Sequence, residues 1–72
     1  MTEAEATGLV FAPFVKHLKQ MVGAWVEVAT WNGTVHGRLQ EVFSDHILIE
    51  NGARYHVRLA AVAYVRQKAD PR

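Results

Sequence analysis

Cysteine is absent from the 72-residue sequence, so neither a disulfide staple nor a thiolate metal site is available to it. Apolar runs are short: none approaches the ~20 residues of a membrane-spanning helix, and the acidic opening Met1-Thr2-Glu3-Ala4-Glu5 is unlike a signal peptide. Excess charge is missing too. Eight Lys and Arg stand against seven Asp and Glu, a net charge of +1, which is too little to coat duplex DNA by charge alone. No serine or threonine lies in a nucleophile motif and no glycine-rich phosphate loop occurs. These absences read as a soluble, cytoplasmic protein that is not an enzyme, carries no cofactor and has no evident small-molecule substrate or membrane partner.

At this length the chain is one small domain. It buries only about 60% of the surface its unfolded form exposes, so its core is marginal alone. With disulfides excluded, self-association is the expected supplement. A ring of subunits would also concentrate a few basic side chains on one face despite the small net charge.

What is present divides cleanly along the chain. Residues 1–12 are small and polar at the start and read as a flexible segment. From Pro13, "PFVKHLKQMVG" carries Phe14, Leu18, Met21 and Val22 at helical spacing, with Lys16, His17, Lys19 and Gln20 on the other side. Proline suits a first helical position and Gly23 a C-terminal cap, which predicts a helix over 13–22.

After Gly23 the period changes to two. "AWVEVATW" sets Val26, Val28 and Thr30 against Trp25, Glu27, Ala29 and Trp31, placing both tryptophans on one face of the first strand. Asn32-Gly33 is a hairpin signal, and "TVHGRLQEVF" returns. Ser44-Asp45 breaks the chain before "HILIE"; Asn51-Gly52 turns it into "ARYHVRL"; Ala60-Ala61 interrupts it before "VAYVRQK". Five strands therefore fall within residues 24–67, and 68–72 form a tail. Strands this short are expected to curl into a small barrel rather than a flat sheet. Gly37, inside the long second strand, is then the residue that lets it bend round a corner.

The order of helix, "V-x-V", "N-G-x-x-x-G-x-L", a break, "H-I-L-I", an Asn-Gly turn and "V-R-L-A-A-V-A-Y-V" resembles the Sm-like family, including its bacterial Hfq-like branch and a group of very short Sm-like proteins of spore-forming bacteria. The similarity runs from about Pro13 to Val65. It implies a mainly β fold, an N-terminal helix followed by a strongly bent five-stranded, SH3-like barrel, and a homo-oligomeric ring joined by pairing of the fourth strand with a neighbour's fifth. It further implies that the ring binds single-stranded RNA by stacking and polar contacts to base edges.

Residue by residue, the resemblance leaves Asp45 shifted from the family's aspartate and sets His46 at its stacking or asparagine position. Arg58 fits the later arginine, with Leu59 where a glycine is usual, and His56 lies beside it. The Gly33-to-Leu39 interval is one residue shorter than is typical. These departures bear on the uridine pocket and leave the fold intact. Candidate RNA-binding residues are thus His46, Arg58, His56 and Asp45, with Lys16 and Lys19 on a helix that lies over one face of such rings. Each has a plainer reading. His46 suits a polar loop, and Arg58 an ion pair with Glu50 or Asp45. Tyr55 and Tyr64 suit barrel packing or a subunit contact, and the lysines a solvated face. Trp25 and Trp31 are either buried or, if exposed together, a surface for a protein partner. The four histidines His17, His36, His46 and His56 lack metal-site spacing. The rival function is therefore a scaffolding ring that binds proteins rather than RNA.

Overall fold

A computed structural model describes the backbone of residues 3–71 and the side chains of residues 11–71. The chain forms α1 (Glu3–Lys19), β1 (Trp25–Thr30), β2 (Gly33–Val42), β3 (His46–Glu50), β4 (Arg54–Arg58), a single 3-10 turn (Leu59–Ala61) and β5 (Val62–Gln67). The helix starts ten residues earlier than Pro13 implies. Ala4, Ala6, Ala12, Glu3, Glu5 and Leu9 are strong helix formers, and they carry the helix through Pro13, which sits inside it. Pro13 is thus an interior residue that forgoes one helical hydrogen bond. Of the expected flexible segment, only residues 1 and 2 lie outside the described residues, as does residue 72 of the tail. Lys16, His17 and Lys19 fill the last turn, where their charge suits the helix dipole. The helix ends three residues before Val22. Met21 and Gln20 donate from their backbone N–H groups to Leu18 and His17, and Gly23 takes a φ of +93° that hands the chain to the sheet.

All five strands join one antiparallel sheet in the order β4-β3-β2-β1-β5. It remains open, with β4 and β5 as its two edges; the closed barrel expected from the sequence is not formed within the single chain. The β1–β2 register runs from Thr30 opposite Gly33 to Trp25 opposite Arg38. Trp31 and Asn32 therefore form the loop, rather than Asn32 and Gly33. Thr30 Oγ1 donates to the Gly33 carbonyl at 2.8 Å and accepts from the Asn32 N–H at 3.2 Å. Gly33, at φ +134°, takes the backbone conformation that side chains resist.

One face of the sheet is apolar. Val26 and Val28 of β1, Leu39 and Val42 of β2, Ile47 and Ile49 of β3, Val57 of β4 and Leu59 pack with Val15 and Leu18 of α1. Leu39 and Val42 are an odd number of residues apart and would face opposite ways in a regular strand. The register slips between Leu39 and Glu41, so a bulge at Gln40 returns Val42 to the core. That bulge is the irregularity of the long strand. Gly37 has an ordinary negative φ, and its role is different: a Cβ there would lie 2.6 Å from Ile49 Cγ2 and 2.7 Å from the Glu50 carbonyl oxygen. Gly37 is a place where β3 presses onto β2.

Candidate nucleic-acid interface

The face of the sheet away from α1 carries the polar chemistry. Pairing sets His46 opposite Arg58 and Leu48 opposite His56, and alternation sends His46, His56 and Arg58 to this side because Ile47 and Val57 point to the core. Phe43 and His46 stack with ring centroids 4.4 Å apart and planes 13° from parallel. His56 continues the series, its ring 5.6 Å from that of His46 and tilted by 42°. The Phe43 N–H donates to the His46 carbonyl at 2.8 Å, which holds the β2–β3 connection closed under the stack.

Asp45 orients His46. The carboxylate accepts a hydrogen bond from His46 Nδ1 at 2.7 Å, and this bond first, then the charges of His46 and Arg58, hold the Asp45 carboxyl below its ordinary pKa. A carboxylate only accepts, so Nδ1 is the donor, and Nε2 is an acceptor whenever the ring is neutral. Four of the sequence candidates, Asp45, His46, His56 and Arg58, are thereby brought together, with Phe43 as a member that the sequence does not single out. A spacing argument finds it: Phe43 and His46 flank the Ser44-Asp45 break, and a tight break stacks its flanks.

Lys16 and Lys19 are elsewhere. With Ala12, Val15 and Ser44 they line an open groove of about 450 Å³ between α1 and the β2–β3 connection. Ser44 is the link between that groove and the stack. The tryptophans do not share a surface. Trp25 opens β1 and is half-buried, whereas Trp31 lies past its other end and is 76% exposed. Arg58 takes no ion pair with Glu50, whose carboxylate instead sits 4.0 Å from Arg54. Tyr55 and Tyr64 are both exposed.

The most connected polar residue is Glu27, which no sequence motif marks. It is 7% exposed on the same outer face. It accepts from His36 Nε2 at 3.0 Å and Tyr64 OH at 2.9 Å, pairs with Arg66 Nε at 3.0 Å and has Lys68 Nζ at 3.7 Å. The His36 and Tyr64 hydrogen bonds, with Arg66, outweigh desolvation and pull its pKa down from 4.5 to about 2. The same bond raises the Tyr64 hydroxyl above its usual range. His36 and Arg66 are the direct cross-strand partners of Glu27, and of the network's members counting back from the hairpin turn identifies His36. The network is a three-strand clamp, saturated with donors, and it ties β5 to β1 and β2.

Among the described residues, no group of three or more His, Cys, Asp or Glu is placed to hold a metal ion, and no helix is long and apolar enough to cross a membrane. A family model described as a domain of unknown function, DUF2642, matches residues 8–66. No curated protein matches the chain.

Proposed function

The chain belongs to the DUF2642 family, and from that premise and the geometry above we propose that it is a non-catalytic, Sm-like, ring-forming protein that binds single-stranded RNA. The observation that carries the reading is the row of Phe43, His46 and His56 with Arg58 beside it. Bases stack on aromatic rings regardless of sequence, each stacked base being worth about 1–3 kcal/mol. Here a stacked ring pair already exists with a neighbouring third ring. His46 Nε2, freed by the Asp45 bond, accepts from a base edge, while the Arg58 guanidinium receives a phosphate.

The open edges support the ring. β4 and β5 end the sheet with unpaired backbone donors and acceptors, a liability unless another strand covers them. Joining β4 of one copy to β5 of the next is a head-to-tail contact that closes when its rotation permits. Closure would curl the sheets into barrels around a pore and repeat the His46–Arg58 site once per subunit. Binding of fluorescent U-rich and A-rich oligoribonucleotides, followed against salt, tests this reading.

A scaffolding ring is favoured by one observation, the 76% exposure of Trp31, since a solvent-facing indole at a loop tip is the kind of anchor that protein interfaces bury. Flat, undetectable RNA binding at low salt selects this second reading.

A further inference from the structure

Alternation sends Trp25, Arg38 and Glu50 to the outer face of the sheet. Pairing sets them in one row, Trp25 opposite Arg38 and Arg38 opposite Glu50, and the row ends at Arg54, the partner of Glu50 on β4. Over the row lies a recess of about 330 Å³, lined by these first three residues together with Gln40, Asp70 and the Asn51-Gly52 turn. Arg38 and Glu50 carry opposite charges directly across β2 and β3, yet among the described residues each has another partner. Arg38 Nη2 donates to Asp70 Oδ2 at 2.7 Å, and its Nη1 donates to the Gly23 carbonyl. The Glu50 carboxylate has Arg54 Nε at 4.0 Å, too far for a hydrogen bond.

The guanidinium is thereby fixed with N–H groups to spare, and the carboxylate keeps both oxygens for a ligand. The recess offers a donor and a two-oxygen acceptor side by side against an indole. Of the RNA bases, guanine alone carries the complement: the acceptor O6, then the N1–H and N2 amino donors along the same edge. Those two donors meet the two oxygens of one carboxylate as a parallel pair, as the fork of an arginine does. Adenine and cytosine bring a single amino group to that edge, and uracil sets its one N–H between two carbonyls that a carboxylate repels. Any base stacks on an indole, so Trp25 supplies affinity and Glu50 the choice.

We propose that this recess binds a guanine base, stacked on Trp25, with its N1–H and N2 amino group on the Glu50 carboxylate and its O6 on Arg38. The base comes from a free nucleotide or from a single strand, and in either case Arg54, exposed at the end of the row, takes the phosphate. Asp70 is part of the wall and acts by holding Arg38 away from Glu50. Glu50 and His46 lie at opposite ends of β3, roughly 13 Å apart along the strand. The recess is therefore separate from the Phe43–His46–His56 row and stands or falls separately from RNA binding there.

The test is a nitrogen-15 NMR titration of the whole chain, near neutral pH, with guanosine, inosine and adenosine monophosphates. The two tryptophan indole N–H signals are the reporters, Trp25 in the recess and the exposed Trp31 as the internal control. Guanosine monophosphate is expected to move the Trp25 signal and leave Trp31 still. Inosine monophosphate lacks only the N2 amino group and is expected to bind roughly tenfold more weakly, as the loss of one bond to a charged acceptor implies. That comparison needs no variant. Glu50→Gln is expected to reduce guanosine monophosphate binding to the level of adenosine monophosphate. A uridine strand with one guanosine, titrated beside the all-uridine strand, separates the sources. Tighter binding at Trp25 than the mononucleotide shows assigns the base to a strand, and weaker binding assigns it to the free nucleotide. Equal affinities for guanosine and inosine monophosphates, an unchanged affinity in Glu50→Gln, movement of Trp31 in place of Trp25, or no Trp25 response overturns the proposal. RNA binding at the histidine row is read apart from all of these, from the all-uridine strand.

Discussion

Gly37 and Ile49 lie so close together that any side chain at residue 37 would have to displace one of them: a Cβ would stand 2.6 Å from Ile49 Cγ2. Ile49 is fully buried and the second obstruction is the Glu50 backbone, so neither neighbour gives way cheaply. Gly37→Ala is therefore expected to destabilise the fold by about 1–3 kcal/mol, the usual cost of overpacking a core. Urea unfolding followed by tryptophan fluorescence measures it; an unchanged midpoint would show that β2 and β3 separate without cost.

The Glu27 clamp makes an acid-stability prediction. Its pKa is about 2 in the folded chain against 4.5 for an unperturbed Glu. The folded state therefore favours the ionised form, and this stabilisation is fully present above about pH 5. It is lost as pH falls from 4.5 through 2. Glu27→Gln is expected to lower the thermal midpoint at neutral pH and to flatten its dependence on pH across that interval. Asp45, also depressed, contributes in the same direction at the acid end. Thermal melts of both proteins from about pH 2 to 7 check this, and parallel curves would contradict it.

Leu39 is fully buried at the centre of the core, just before the bulge that returns Val42 to the same face. Leu39→Ala is expected to cost about 2–5 kcal/mol, through reduced burial and the cavity left behind. In a domain of this size that is a large share of the total stability. Trp31→Ser removes a side chain that touches little of the core, and its stability is expected to stay within about 0.5 kcal/mol of the unaltered protein. Chemical denaturation of the two variants side by side separates a core position from a surface one.

The open edges predict assembly. Multi-angle light scattering at micromolar concentration is expected to return a mass several times 8.1 kDa. Val65→Pro, which removes a backbone donor from β5, is expected to weaken it. A stable monomer would contradict the ring.

Much of the fold is legible in the sequence because its signals are local. The period-two runs mark all five strands, and Gly23 and the Asn-Gly pairs mark real turns, though with Trp31 and Asn32 as the loop of the first. Pro13 points to the wrong helix start, because a proline that opens a helix and one endured inside it leave the same mark in a sequence. Gly37 carries a second role that its neighbours in the sequence do not show. A glycine that bends a strand and one that admits a neighbour's side chain differ only in what lies across the sheet, here Ile49. The grouping of Asp45, His46, His56 and Arg58 follows from β3–β4 pairing around Asn51-Gly52 and is within reach of the sequence. The burial of Glu27 is not, since it depends on Tyr64, Arg66 and Lys68 arriving from the end of the chain.

The most direct test of RNA binding at the Phe43–His46–His56 row is the affinity of a U-rich or A-rich oligoribonucleotide across a series of salt concentrations, for the unaltered chain and for Arg58→Ala. The expected result is binding at low salt whose logarithm falls linearly with the logarithm of salt concentration. Arg58→Ala should weaken it and make the slope shallower by about 0.7 for each phosphate left without its arginine along the bound strand. Affinity and slope unchanged by Arg58→Ala, or no binding by the unaltered chain at low salt, would contradict RNA binding at this site.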